Sequence, residues 1–235
     1  MPAHTPEQLF GDALRADPAR PLVTYYDEAT GERSELSAKS MANWVAKTYH
    51  LISGELGLGV GDSALIALPA HWISVPALLG ALCAGLELRD DGPADVAFVT
   101  GPLLGAADAF AVNPAAAAVG YRDAPPSGTA DYVLAVRPQP DAWTGVAFPA
   151  GPDGPCWAGM SRAEVVAAAR ARAADLGLAG GARTLTTRGW DGPAAWLDTL
   201  IAPLAVGGSV VYVANSTDES VIERRIAQER VTGRI

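Results

Sequence analysis

A chain of 235 residues is long enough for one α/β domain, or for two lobes sharing a sheet, around a sizeable core. Hydrophobic residues make up 49% and charged residues 18%, a balance that excludes an intrinsically disordered chain. The net charge of −9 sets up a field that repels nucleic acid and anionic membranes, so neither is expected as a partner. Two cysteines, Cys83 in an apolar segment and Cys156 in a loop, are too few for a disulfide framework or a thiolate metal cluster. They fit free thiols in a reducing cytoplasm. No apolar run approaches the roughly 18 residues of a membrane span, and Met1 leads into Pro2-Ala3-His4 rather than a charged region and an apolar core. The expectation is a cytoplasmic protein without a membrane span.

In chain order, Thr5 and Gln8 form a capping box with Pro6 in the first turn, which predicts a helix whose buried stripe is Leu9, Phe10, Ala13 and Leu14. Leu22 to Tyr26 and a second run ending at Leu36 read as a hairpin turning through Asp27 to Gly31. Ser37 then caps a long helix on which Met41, Trp44, Val45, Thr48, Leu51 and Ile52 recur at helical spacing. His50 falls off that stripe and reads as a solvated surface residue. The glycines of Gly57 to Gly61 precede the apolar run Ala64 to Leu68. They therefore serve a connection and not a dinucleotide fingerprint, which needs them after a strand. His71 and Trp72 follow at the carboxyl end of that strand, where α/β ligands usually sit, before a helix closed by Gly85.

From Leu86 to Pro140 the pattern predicts a strand at Val96 to Val99, a helix around Leu103 to Phe110, and a second apolar stretch Tyr132 to Val136. Pro138-Gln139-Pro140 is the candidate lobe boundary. Ser161 and Glu164 predict a helix from Arg162 to Leu176 ended by Gly177. Thr184 to Thr187 and Ser209 to Val213 read as strands, Trp190 to Ala205 as mainly helix, and Ser216 with Glu219 as the cap of a last helix to Glu229. The alternation gives the fold class: α/β, with largely parallel sheets flanked by helices. The last helix is expected on a sheet containing Val146, Leu185 and Val211.

The stretch that attracts a functional reading is Phe148 to Ser161, FPAGPDGPCWAGMS, a Gly/Pro-rich loop between the short apolar run Val146 to Phe148 and a helix. A strand, a glycine-rich loop and a helix start present backbone N–H groups and the positive end of a helix dipole to a phosphate. The content argues for a rigid surface turn instead. Pro149, Pro152 and Pro155 remove N–H donors, and no lysine or threonine is present.

Several stretches, in order, resemble the adenylate-forming enzymes that include acyl-CoA synthetases, luciferases and nonribosomal-peptide adenylation domains. They are Leu36-Ser37 with the following amphipathic helix, GVGDSALIALP (Gly59 to Pro69), LLGALCAGLE (Leu78 to Glu87), and the segment Arg188 to Thr232 that ends in Glu-Arg-Val-Thr. The resemblance covers nearly the whole chain and implies one adenylate-forming-like α/β domain over residues 1–235, with lobes 1–138 and 139–235. It also places the family's phosphate loop, commonly TSGTTGxPKG, on Pro149 to Ala158. There only Gly151 and Gly154 match, Pro149, Ala150, Pro152 and Asp153 stand where the family has hydroxyls, and Trp157 stands where it has lysine. The chain's lysines, Lys39 and Lys47, both lie on the early helix. Ile235 precedes the family's adenine-binding strand, its Tyr-Gly-x-Thr-Glu segment, its ribose-binding Asp and its C-terminal domain with the catalytic lysine.

Adenylation develops charge on phosphoryl oxygens and on the leaving pyrophosphate, which lysine, Mg²⁺ and hydroxyl donors must stabilise. The resemblance therefore implies a truncated, catalytically inactive acyl-CoA synthetase-like domain that works as a binding or assembly module. One alternative is an active acyl or aryl adenylating enzyme, an ATP-dependent acid ligase served by a partner chain that supplies the missing half. The other is a small-carboxylate or acyl binder. No catalytic residue or metal ligand is assigned. The degenerate nucleotide-binding candidates are Gly151, Asp153, Gly154 and Ser161, and His71, Trp190 and Asp191 are the acyl-pocket candidates. No cofactor is implied by the leading reading; ATP or AMP with Mg²⁺ enters only with the ligase alternative. A homodimer is expected, because longer members cover surfaces that this chain leaves open.

Overall fold

A computed structural model describes residues 4–103, 106–114, 118–142, 148–192 and 194–235. The first helix, α1 (Pro6–Ala16), starts as its sequence directs: Thr5 Oγ1 accepts the Gln8 N–H at 3.4 Å, and Pro6 occupies the first turn. The reciprocal half of the expected box differs, because Gln8 Oε1 accepts from the His4 N–H at 2.7 Å rather than from Thr5. Strands β1 (Pro21–Asp27) and β2 (Glu32–Ser37) form the expected antiparallel hairpin. Ser37 Oγ accepts the Ser40 N–H at 3.1 Å at the start of α2 (Ala38–Tyr49), which runs on into a π-helical turn, His50–Glu55. His50 is half-buried, with Nε2 3.1 Å from the Ala142 carbonyl.

Strand β3 (Ser63–Ala67) leads to α3 (Ser74–Ala84), and Gly85 closes that helix in the left-handed region at φ 92°. Strands β4 (Glu87–Arg89), β5 (Val96–Val99) and β6 (Asp108–Ala111) follow. The helix expected around Leu103 to Phe110 is therefore corrected to strand over its second half. β6 pairs in parallel with β5, and Phe110 lies against Phe98 with ring centroids 5.8 Å apart. Leu104 and Gly105 lie outside the described residues.

Next come β7 (Ala130–Asp131) and α4 (Tyr132–Val136), whose start is fixed by Asp131 Oδ1 accepting the Leu134 N–H at 3.1 Å. The expected strand at Val146 falls on residues outside the description. The proline-rich stretch contains a short hairpin that the sequence did not announce, β8 (Pro155–Trp157) with β9 (Met160–Ser161). Ser161 is thus a strand residue at the entrance of α5 (Arg162–Asp175).

After β10 (Arg183–Thr186), a π-helical turn Leu197–Ile201 continues into α6 (Ala202–Ala205), so Trp190 and Asp191 stand outside the expected helix. Strand β11 (Ser209–Ala214), α7 (Glu219–Glu229) and β12 (Gly233–Arg234) complete the order. Asp218, not Ser216, caps α7, its Oδ1 accepting the Ser220 N–H at 2.9 Å.

The chain divides into two compact units, residues 1–41 with 164–235, and residues 42–163. The Pro138–Pro140 cluster lies inside the second. The first unit holds a five-stranded sheet in the order β12-β10-β11-β1-β2, parallel except for the β1–β2 hairpin. Ile222 of α7 packs on Tyr26, Leu185, Val211 and Val213, with Ile226 beside it, so Ser209 to Val213 is the buried strand the sequence predicts. Beyond this apolar patch, Glu229 at the end of α7 accepts from Tyr26 Oη, from Arg33 at 3.1 Å and from Arg183 at 2.5 Å.

The second unit holds a seven-stranded sheet in the order β7-β6-β5-β3-β4-β8-β9, parallel except for β8–β9. All 11 residues of α3 are buried, consistent with a helix apolar on every side. Gly80 lets it approach the neighbouring helix closely: a Cβ there would lie 2.5 Å from Thr48 Cβ. Thr48 Oγ1 in turn shares a 2.7 Å hydrogen bond with the buried Tyr132 hydroxyl.

Candidate functional site

The order of the second sheet places β3 between β4 and β5: the chain leaves β3 for β4 on one side, then passes to β5 on the other. In open α/β sheets the crevice at the carboxyl end of such a strand is where ligands bind. Here that end carries His71, Trp72 and Ser74, all buried. His71 Nδ1 accepts the Ile73 N–H at 3.1 Å, which puts the ring proton of a neutral imidazole on Nε2. The Trp72 indole stands edge-on to Trp44 at 5.7 Å. Trp72 Nε1 and Ser74 Oγ are buried donors without a hydrogen-bond partner among the described residues. Such groups call for a water or a polar atom of a bound molecule.

The loop candidates Gly151, Asp153, Gly154 and Ser161 lie in the same unit. Gly151 to Gly154 is a β-turn, closed by the Gly154 N–H donating to the Gly151 carbonyl at 3.0 Å, with Pro152 and Asp153 at the two central positions. Gly151 and Asp153 are exposed. The turn is then sewn onto α5: the Arg162 N–H donates to the Gly154 carbonyl and the Ala163 N–H to the Pro152 carbonyl, each at 2.9 Å. These are first-turn N–H groups of the kind a helix offers to a phosphate. Here they are taken by the loop itself.

Trp157 is held by structural partners. It pairs with Leu88 across β8 and β4, and its Nε1 donates to Asp90 Oδ2 at 2.7 Å. The loop's exposed charge is the carboxylate of Asp153. The cation closest in sequence is Arg162, and it is fully buried, donating to the Leu82 and Leu86 carbonyls at 3.0 Å each. Leu82 is in the last turn of α3 and Leu86 lies just beyond its Gly85 cap, so the guanidinium sits against the negative end of that helix dipole. Pro149, Ala150, Pro152 and Asp153 carry no hydroxyl, the loop has no lysine, and the first N–H groups of α5 are bonded to the loop's own carbonyls, so few donors are left there for a phosphate.

Trp190 and Asp191 belong to the first unit and His71 to the second. Trp190 Nε1 donates to Thr199 Oγ1 at 3.0 Å, and the ring stands edge-on to Tyr212 at 6.3 Å. Burial pushes the Tyr212 phenol above its ordinary pKa, and its hydroxyl donates to the Thr199 carbonyl at 3.2 Å. Trp190 is thus part of the packing at the entry of the π-helical turn. Asp191 is exposed, its carboxylate folded back so that a Cβ on Gly189 would lie 2.2 Å from Oδ2. The sequence places Trp72 at this strand end but gives no sign of the roles of Arg162 and Ser74. A buried arginine at the first helical position carries no local signature, because its partners lie 76 and 80 residues away.

No family model matches the chain. It is 43% identical to the "TIGR03089 family protein" of Mycobacterium tuberculosis over 244 residues, an alignment covering 97% of this chain and 98% of that protein. Solved structures that share its fold include the three that follow. The anthranilate CoA ligase AuaEII, determined with anthranoyl-AMP, superposes with TM-score 0.69 at 15% identity, over 97% of this chain and 48% of the ligase. Acetoacetyl-CoA synthetase from Streptomyces lividans gives 0.72 at 18% identity, over 96% of this chain and 41% of the synthetase. The N-terminal domain of FACL13 from Mycobacterium tuberculosis gives 0.63 at 17% identity, over 97% of this chain and 61% of that structure. The chain therefore spans 41–61% of the length of these structures. On these likenesses the chain belongs to the TIGR03089 family and has the fold of the N-terminal part of an adenylate-forming enzyme.

Proposed function

We propose that the protein is an adenylate-forming-type domain that does not adenylate carboxylates and serves as a binding or assembly module. The observation that carries this reading is the consumption of the Arg162 and Ala163 N–H groups by the Gly154 and Pro152 carbonyls. Where adenylate-forming enzymes present donors to phosphate, this loop bonds to itself. The Trp157–Asp90 hydrogen bond supports the same reading, since a neutral indole held by a carboxylate supplies no positive charge to a phosphoryl oxygen. Each lost electrostatic donor costs a transition state about 3 kcal/mol, and losses acting on one step together bring the rate toward background even though they do not add.

The binding half of the proposal rests on the carboxyl end of β3. Trp72 Nε1 and Ser74 Oγ there are buried donors that a polar group of a small ligand would satisfy. The competing reading is an ATP-dependent acid ligase completed by a second protein, with ATP and Mg²⁺ as its cofactors.

Carboxylate-dependent exchange of pyrophosphate into ATP decides between them. The purified chain is expected to show none, and calorimetry with MgATP no affinity in the micromolar range. Exchange that is abolished by Asp153→Ala or Ser161→Ala would overturn the proposal. Exchange that appears only when a second protein is added would establish the ligase reading.

A further inference from the structure

The first unit contains a cavity of about 300 Å³ that no residue of the candidate site lines. That is the lower end of the size range of small-molecule sites. Its floor is apolar and buried: Leu9 of α1, Leu22 of β1 and Leu204 of α6. The space exists because Ala13, Ala16, Ala38 and Ala205, which also line it, leave the volume that longer side chains would fill. Leu9, Ala13 and Ala16 recur on one face of α1, so the helix's own period directs this stripe into the cavity. The opposite wall is rigid. Gly208 sits so close to neighbouring backbone that a Cβ there would lie 2.3 Å from the Ala182 carbonyl oxygen.

The rim carries charge of both signs, from Asp12, Asp17, Arg20 and Arg170. Asp12 is engaged by Arg15, and Asp17 Oδ1 accepts the N–H groups of Ala19 and Arg20 at 3.0 and 3.2 Å. Arg20 is different. Its Nη1 donates to the Gly207 carbonyl at 2.9 Å and its Nη2 to the Gly181 carbonyl at 2.7 Å, so neutral acceptors hold the guanidinium in place without neutralising it. Two N–H groups of five are used, and a planar fork fixed in this way is preorganised for a carboxylate.

We propose that this cavity binds a small apolar monocarboxylate, the hydrocarbon part among the alanine-lined walls and the carboxylate on Arg20. This site is separate from the carboxyl end of β3 and does not depend on the function proposed above. A purely structural Arg20, tying the 203–208 turn to the turn at Gly181, would contribute stability without ligand selectivity.

The test is calorimetric titration of the full chain with hexanoate and benzoate, against hexanol and benzyl alcohol as uncharged counterparts. Saturable 1:1 binding of the acids is expected, at least tenfold tighter than the alcohols. Arg20→Gln is expected to remove that preference, bringing acid affinity to the level of the alcohols. Ala13→Leu, or Ala16→Leu if the first lowers the melting temperature, is expected to abolish binding of both. No saturable binding would overturn the proposal, as would Arg20→Gln lowering stability with the acid preference intact. Binding lost in Trp72→Phe but kept in Ala13→Leu would also overturn it, while placing the ligand at the β3 site and leaving the function proposed above standing.

Discussion

The buried guanidinium of Arg162 is the cation closest in sequence to the loop, and Arg162→Met removes it at nearly constant length. Two hydrogen bonds to carbonyls are lost, each 3.0 Å long and each donated by a charged group. Such bonds contribute about 1.5–3 kcal/mol apiece, and a cation at a helix C-terminus adds up to about 2 kcal/mol. Two effects work the other way. A buried cation carries a desolvation cost of several kcal/mol that methionine does not, and the Leu82 carbonyl keeps the Gly85 N–H at 3.0 Å. The balance is a net loss of about 3 kcal/mol, because the Leu86 carbonyl gives up its Arg162 donor in a buried site. For a chain of this size that lowers the melting temperature by roughly 6–12 °C. Thermal and urea unfolding measure it, and hydrogen exchange should show faster exchange at the end of α3. Arg162→Lys should fall between, since an ammonium keeps the charge but not the fork that spans two carbonyls. A methionine variant within about 0.5 kcal/mol of the parent would refute the reasoning and return Arg162 to the pool of cations available to a ligand.

Two other predictions follow from local geometry. Burial pushes the pKa of Glu229 up, but hydrogen bonds from Tyr26, Arg183 and Arg33 outweigh it and hold the carboxyl below its ordinary value of 4.5. A depressed carboxylate stabilises the fold fully above that value and loses its contribution as pH falls through the native pKa. Glu229→Gln should therefore flatten the loss of stability below about pH 4.5, and an unchanged acid limb in urea titrations would contradict the network. Gly208→Ala forces a Cβ to within 2.3 and 2.9 Å of two backbone carbonyl oxygens that cannot step aside, whereas a Cβ on Gly151 meets nothing within 4 Å. The first should cost about 3 kcal/mol, the upper end of overpacking, and the second less than about 0.5 kcal/mol. The reverse order in denaturant midpoints would mean that the loop glycine is the constrained one.

Much of the fold is legible in the sequence wherever period and punctuation agree. The Thr5 cap, the β1–β2 hairpin, Gly85 after α3 and the buried strand Ser209 to Val213 all stand where local chemistry puts them. Leu103 to Phe110 misleads because alanine-rich spacing imitates a helical stripe, while a four-residue strand is too short to show alternation. Pairing with β5 decides that segment, and pairing is a tertiary fact. The β8–β9 hairpin is hidden for the same reason: nothing in Pro155-Cys156-Trp157 announces a strand until β4 is beside it. Ser216 and Asp218 are both good caps two residues apart, and the carboxylate wins α7. Of the site, the loop was found by its glycines and prolines. Its self-bonding was not legible, because backbone partners depend on a path that side chains only bias.

The seven-stranded sheet ends at both edges in strands of two residues, Ala130–Asp131 on one side and Met160–Ser161 on the other. The five-stranded sheet ends in another two-residue strand, Gly233–Arg234, and in β2, which presents Glu32, Arg33 and Glu35. The two-residue edges of the seven-stranded sheet offer too few unpaired N–H and C=O groups to template a foreign strand, and β2 carries charged side chains along its edge. In a crowded cell this is protection against strand-by-strand aggregation. It also restricts how any assembly can be built: a second chain gains little by extending the seven-stranded sheet, and must find its contacts with that sheet's unit on helices and loops.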